Sequence, residues 1–289
     1  MGCHDFYRSA ACADSGCDDS AYPRLSRGSV VAGKYIVLES IGEGERSATY
    51  ACRCLHDAGQ LVALKMLLPH AAHDAGAVAA FAQEYRLAKL IDHPHVLQVY
   101  DWIDLGDSVA YTLEYALCGT LAEVLPEGRS LSVPEIETLG RQMCTALEAV
   151  HRAGLVHNNF GLHSVYVMKD GRLKLGGFGP ALAPASGKTV REDRIHGHLD
   201  YVSPEYVRNG TIHAASDVYA LGIVLYELTT GRYPFERLSS PVESLRHRLS
   251  TDAPAPVYCR AACPAPLNRV IINAMRREWQ NRLSSIAEV

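Results

Sequence analysis

The run from Ala214 to Thr230 (Ala-Ala-Ser-Asp-Val-Tyr-Ala-Leu-Gly-Ile-Val-Leu-Tyr-Glu-Leu-Thr-Thr) constrains the fold more than any other part of this chain. It reads as a helix that is apolar almost all round, with Gly231 as its stop. A helix without a polar face must be covered on every side, so it belongs at the centre of a lobe built from other helices. The neighbouring sequence supplies them. Ser132-Val133-Pro134-Glu135 opens a helix with a Ser cap, an early Pro and a Glu for the helix dipole. Ile136, Leu139, Met143, Leu147 and Val150 then recur at three- and four-residue spacing and define one buried face. A further helix is predicted over 266–277.

Before Gly119 the text is different. Strands are predicted over 35–41, 50–55, 61–67, 96–104 and 109–115, with a glycine turn at 42–44 and one helix over 77–91. A small β-rich lobe over about 33–115 followed by a larger helical lobe over about 116–289 is an α+β, bilobal arrangement. The 289 residues, 48% hydrophobic, suffice for a sizeable core, and no internal repeat is present.

Composition narrows the function classes. A net charge of -4 argues against a nucleic-acid or polybasic membrane binder. The longest apolar run, 220–226, is too short to span a bilayer, and the N-terminus lacks the apolar core of a secretory signal. Nine cysteines, odd in number and scattered, fit a reducing cytoplasm. Cys3, His4, Cys12 and Cys17 cluster without the two-residue spacing of a zinc knuckle. They are read as part of a poorly ordered polar tail over 1–32, with metal binding as the competing reading.

A series of motifs, in order, resembles the protein-kinase superfamily, in the style of bacterial eukaryotic-like Ser/Thr kinases. Ile41-Gly42-Glu43-Gly44 is similar to the Gly-rich loop and Val62-Ala63-Leu64-Lys65 to the third-strand lysine motif, with Glu84 as the lysine's partner. His93-Pro94-His95-Val96 resembles the turn after that helix. Glu114-Tyr115-Ala116 resembles the hinge, with Leu113 as gatekeeper. His157 stands at the start of the catalytic-loop motif and Phe178-Gly179 in the magnesium motif. Ser203-Pro204-Glu205 resembles the Ala-Pro-Glu motif, Asp217 to Gly222 the central helix, and Arg282 the late arginine that pairs with the motif's glutamate. The resemblance covers residues 33 to 289.

The departures fall on chemistry. Where the resemblance implies a catalytic aspartate, the chain has Asn159. The phosphate-contacting lysine is Gly161, the metal-binding asparagine is Ser164, and the metal-binding aspartate is Gly177. Asn158 replaces the arginine that would clamp a phosphorylated activation segment, which the resemblance places over 177–205. His198 replaces a threonine on the substrate side. Tyr166 falls where an aliphatic residue would lie under adenine; it could stack on a base or fill the pocket. An amide has no useful basicity, and loss of a general base costs about 10² to 10⁴ in rate. Magnesium wants carboxylate oxygens, which glycine and serine do not supply. His157, Phe178, Gly179, Glu205, Asp217 and Arg282 keep the scaffold identities.

The resemblance with these departures implies a pseudokinase: a regulatory or scaffolding module that needs no cofactor and binds a protein partner, such as a kinase, a substrate or a signalling protein. Gly42, Gly44, Ala63, Lys65, Glu84, Glu114, Ala116 and Tyr166 are the candidate nucleotide-binding residues, and any ATP binding is expected to depend little on magnesium. For Lys65 and Glu84 a purely structural salt bridge is the equal alternative. Two other functions stay open. One is a weak or unorthodox Ser/Thr kinase recruiting Asp193, Glu192, Asp200 or His163. The other is a nucleotidyl transfer from ATP. The stretch could also be the kinase-like part of a longer protein.

Overall fold

The computed structural model describes residues 25–126, 128–179 and 198–289. The cluster of Cys3, His4, Cys12 and Cys17, and most of the expected activation segment, lie outside the described residues. The chain divides into two units. The first runs to Tyr85 and resumes at Gln98–Cys118; the second takes Arg86–Leu97 and Gly119–Val289.

The first unit is a curled six-stranded antiparallel sheet of order β1-β2-β3-β4-β6-β5. Its strands are β1 (Val30–Val31), β2 (Tyr35–Glu43), β3 (Ser47–Cys54), β4 (Leu61–Leu67), β5 (Val99–Asp104) and β6 (Val109–Glu114). Tyr35, Val37, Tyr50, Cys52, Val62, Leu64 and Met66 alternate inward and form one core. The short helix α1 (Pro69–Ala72) leads into α2 (Ala75–Lys89). Phe81 and Tyr85 of α2 pack against Trp102 and Tyr111 of the sheet at centroid distances of 5.0 to 5.9 Å. The sheet begins at Val30, inside the stretch read as tail, because Val30 and Val31 pair with Ile36 and Tyr35.

Helix α2 starts two residues before its predicted position. Asp74 accepts the Gly76 amide at 2.8 Å and caps the first turn there. Strand β5 starts three residues late. His95 and Leu97 instead exchange backbone bonds with Leu175 at 2.8 and 2.9 Å. That pairing is why the turn after α2 is counted with the second unit.

The second unit holds α3 (Leu121–Val124), α4 (Val133–Arg152), the hairpin β7 (Val165–Val167) and β8 (Leu173–Leu175), then α5 (Pro204–Asn209), α6 (Ala214–Thr230), α7 (Pro241–Ser250), α8 (Pro256–Cys259) and α9 (Ala265–Ala274). The all-round apolar run is α6, buried from Ala215 through Tyr226. Helix α4 opens as expected, with the Ser132 amide and hydroxyl both donating to Glu135 at 2.7 and 2.6 Å. Its buried face is Ile136, Gly140, Met143, Ala146, Leu147 and Val150; Leu139 is half-buried and Gly140 takes the close approach to Leu225. Helix α9 crosses α6 closely at Gly222, where a Cβ would come within 2.8 Å of Met275 and 2.9 Å of Ala274.

Helix α9 ends three residues earlier than the pattern predicts. Arg282 explains this: its Nε and Nη2 take the carbonyls of Arg276 and Arg277 at 2.6 and 3.0 Å, drawing that backbone out of the helix. The same guanidinium makes a bidentate pair with Glu205 at 2.7 and 2.6 Å and also donates to Ala215 O. Ser216 Oγ adds a bond to Glu205. Burial pushes the Glu205 carboxyl up, but the Arg282 bonds and charge outweigh it and leave its pKa below the ordinary value. This pair ties α5, α6 and the C-terminal turn together. Arg282→Ala strands a buried carboxylate and is expected to cost about 3–5 kcal/mol in urea unfolding. Arg282→Lys should recover little, since an ammonium cannot reproduce the bidentate fork. A loss below about 1 kcal/mol for the alanine variant would contradict this role.

Candidate functional site

The candidate residues fall into two groups, one in each unit. In the first unit, Lys65 sits on β4 opposite Tyr111 and Thr49. Its Nζ donates to Glu84 Oε1 of α2 at 2.7 Å, and Tyr111 Oη donates to the same oxygen at 2.9 Å. The ammonium also lies 5.8 and 5.9 Å from the Phe81 and Tyr111 ring centroids. Glu84 therefore has two donors, and the second, Tyr111, has no signature in the sequence. Ala63 is buried on β4 and pairs with Leu113. Glu114 closes β6 against Val62; its amide donates to Gln98 O at 2.8 Å and its Oε2 accepts the Gln98 amide at 3.3 Å, and Ala116 follows, half-buried.

Gly42 lies within β2 and Gly44 in the turn that closes it, with Gly44 N bonding to Ser47 O at 2.9 Å. A Cβ at Gly42 would meet nothing closer than 4.0 Å, and one at Gly44 nothing closer than 3.7 Å. Neither has a left-handed backbone. The unit's own packing thus does not require these two glycines.

In the second unit the group is organised by Asp217 of α6, which is 1% exposed. Its Oδ2 accepts the His157 amide at 2.8 Å and bonds to His151 Nε2 at 2.8 Å, while Oδ1 accepts the Asn158 amide at 2.9 Å. The loop after α4 is thereby pinned to the central helix. His157 is wholly buried, and burial lowers its pKa. Its Nε2 bonds to Gly176 O at 2.9 Å and its ring meets Phe178 edge-on at 5.0 Å. His157, Phe178, Glu205, Asp217 and Arg282 thus all stand in packing or bonding roles; Gly179 follows Phe178, exposed.

The positions that would carry chemistry are occupied otherwise. Asn159 Nδ2 donates to Gly177 O at 3.2 Å, and its Oδ1 accepts the His198 amide at 3.3 Å and lies 3.3 Å from His163 Nε2. Ser164 is buried in the one-turn helix Leu162–Ser164, and its hydroxyl is used locally. It accepts the Gly161 amide at 3.1 Å and donates to Gly161 O at 3.0 Å. Gly177 has φ +79°, and a Cβ there would lie 3.2 Å from Asn159 Nδ2. No carboxylate stands at 159, 164 or 177, and the one hydroxyl is committed, so these residues do not fit a divalent cation.

Beside them lies a cluster that the motifs do not foretell. The rings of His163 and His198 stack at 4.7 Å, and Tyr201 completes the group at 5.6 and 5.7 Å from them. Tyr201 Oη donates to Glu227 of α6 at 2.8 Å. Burial, then the proximity of His198, brings the His163 pKa down to about 4. A Cβ on Gly161 would meet Tyr201 Cδ2 at 2.6 Å and the His163 ring at 2.7 Å. Tyr166, on β7, lies against Gly176, where a Cβ would come within 2.9 Å of its ring. Asp200, a sequence candidate for a substitute base, is paired with Arg237 at 3.0 Å.

Comparison with known proteins settles the ancestry. A protein kinase domain profile matches residues 35–286. The chain belongs to the protein kinase domain family. It is 30% identical over 262 residues to the serine/threonine-protein kinase PrkC of Bacillus subtilis, covering 91% of this chain and 40% of that protein. It is 32% identical over 269 residues to a probable serine/threonine-protein kinase of Corynebacterium efficiens (90% and 41%). It is 30% identical over 249 residues to the serine/threonine-protein kinase PknL of Mycobacterium tuberculosis (86% and 62%). The chain spans less than two thirds of the length of each. The sheet of the first unit is the N-lobe of the kinase fold and the helical unit its C-lobe.

Within this kinase domain, Gly161 is the altered position whose surroundings leave least room. Overpacking a closed site costs about 1–3 kcal/mol. Gly161→Ala should therefore lower stability by that amount in chemical denaturation, and adding His163→Ala should restore part of the loss. An unchanged unfolding midpoint for Gly161→Ala would refute the packing described here.

Proposed function

We propose that this kinase domain is a pseudokinase, a regulatory or scaffolding module whose output is binding to a protein partner rather than phosphotransfer. The observation that carries the reading is the packing at Gly161. The side chain that would contact the γ-phosphate is absent, and His163 and Tyr201 approach too closely for even a Cβ. Three further features agree. Asn159 offers an amide held by Gly177 O and the His198 amide. Ser164 Oγ bonds within its own turn. Gly177 carries no ligand atom at the metal position. These groups act on one constellation, so their loss is one large deficit and not a product of independent factors.

The main competitor is a weak kinase, favoured by the kinase names of the relatives. It needs a replacement base, and His163 is the nearest imidazole. A group with a pKa of about 4 is a poor proton acceptor at neutral pH. Nucleotide binding is a separate matter. Lys65, oriented by Glu84, together with glycines that the sheet does not require, supports ATP binding through the N-lobe residues. Without metal-ligand groups, that binding would not rely on magnesium.

Labelled ATP incubated with the protein and a cell extract tests the main reading. Neither γ- nor α-phosphate label should transfer to protein. Transfer of γ label would establish a kinase, and transfer of α label a nucleotidyl transferase. A melting-temperature titration tests the second reading. ATP should raise the melting temperature equally with magnesium and with a chelator, and Lys65→Met should remove the shift. A shift seen only with magnesium would overturn the metal-site reading.

A further inference from the structure

A cavity of about 90 Å³ lies within the helical lobe, away from the catalytic-type loop. Its walls are Tyr226 of α6, Pro256 of α8, and Ile271, Ile272 and Met275 along α9 and its end, with Arg276 and Asp252 at the mouth. Tyr226, Ile271 and Met275 are buried, so the floor is apolar and fixed by the α6–α9 contact at Gly222. The Tyr226 hydroxyl is turned to Cys259 Sγ at 3.2 Å.

The two charged groups at the mouth are not equivalent. Asp252 is paired with Arg277, whose Nε and Nη2 lie 2.7 and 3.4 Å from its two oxygens. Arg276 is exposed and has no acidic partner among the described residues. Its backbone carbonyl is taken by Arg282, but its guanidinium is not. Glu278, the nearest acid in sequence, is committed to Arg208 at 2.8 Å. The cavity therefore pairs buried apolar side chains, Tyr226, Ile271 and Met275, with one uncompensated planar cation at its edge. That combination matches a small molecule with an apolar body and a single carboxylate.

From this geometry we infer a ligand site for short branched monocarboxylates in the helical lobe. An apolar cavity of about 150 Å³ accepts a benzene ring. The smaller volume here suits a body the size of an isopropyl group, with the carboxylate reaching the Arg276 fork. The inference does not depend on whether the domain transfers phosphate, since none of these residues belongs to the catalytic-type loop.

The test uses the full chain with labelled Met and Ile methyl groups, titrated with isobutyrate and, separately, with its neutral isostere isobutyramide. Isobutyrate is expected to shift the Met275 and Ile272 methyl resonances saturably. Isobutyramide and the Arg276→Gln variant should each bind about tenfold more weakly, the loss of one charge-assisted contact. Arg276 is exposed, so its substitution leaves the fold intact, which the unchanged methyl spectrum of the free variant would confirm. A second variant, Ala253→Trp, narrows the mouth and should abolish the shifts. No saturable shift at Met275 or Ile272 would overturn the site. Equal binding of acid and amide, or no effect of Arg276→Gln, would overturn the carboxylate assignment.

Discussion

A carboxylate inside an apolar helix is the constraint on which the helical lobe depends. Asp217 sits near the start of α6, a helix buried on all sides, and water cannot reach it. An unpaired buried carboxylate costs several kcal/mol, so Asp217 must find donors inside the protein. It takes two consecutive loop amides, His157 and Asn158, and an imidazole nitrogen from α4. Those bonds fix the position of the loop. His157 then holds Gly176 and Phe178, which fixes the next segment. The geometry of a kinase catalytic centre is thus inherited from a burial requirement and not from the catalytic side chains themselves.

This explains how the loop keeps its course while residues 158 and 159 depart from the kinase motif. The bonds from Asp217 go to backbone amides, which any residue except proline supplies. The Asp217 bond to residue 158 does not depend on its side chain, although a φ of +54° there favours a residue such as Asn. The residues at the positions that depart from the motif are bonded locally. Ser164 closes on Gly161, Asn159 bridges Gly177 and His198, and the His163–His198–Tyr201 rings take the space beside Gly161. A buried ion pair, Glu205 with Arg282, ties α6 to α5 and the C-terminal turn. The N-lobe group differs, since Lys65 and Glu84 keep a charged pair that orients an ammonium and leaves the glycines beyond it without a packing duty.

Much of the fold was legible from pattern. Strands β2 to β6, α2, α4 and α6 follow from periodicity and caps, and their errors are confined to ends. Two of the end errors have a long-range cause: His95 and Leu97 are taken by Leu175, and residues 276 and 277 by Arg282. The hairpin β7–β8 is three residues per strand, too short for any period to show. Of the candidate site, the residue identities were readable by their place among the motifs. Tyr201 and Tyr111 were not, because each acts through a side chain distant in sequence from the position that it affects.

The sequence by itself determined the family architecture and which groups are missing, because motif order and residue chemistry are local properties of the text. An asparagine is not a base, and a glycine carries no ligand atom, wherever the fold puts them. Only the tertiary structure decided how the missing groups were replaced. Whether a Cβ fits at residue 161 depends on where the rings of His163 and Tyr201 settle. Whether the Ser164 hydroxyl is free depends on the turn that it closes. Both are questions of close packing, where a few tenths of an ångström decide the outcome, and no one-dimensional pattern carries that information.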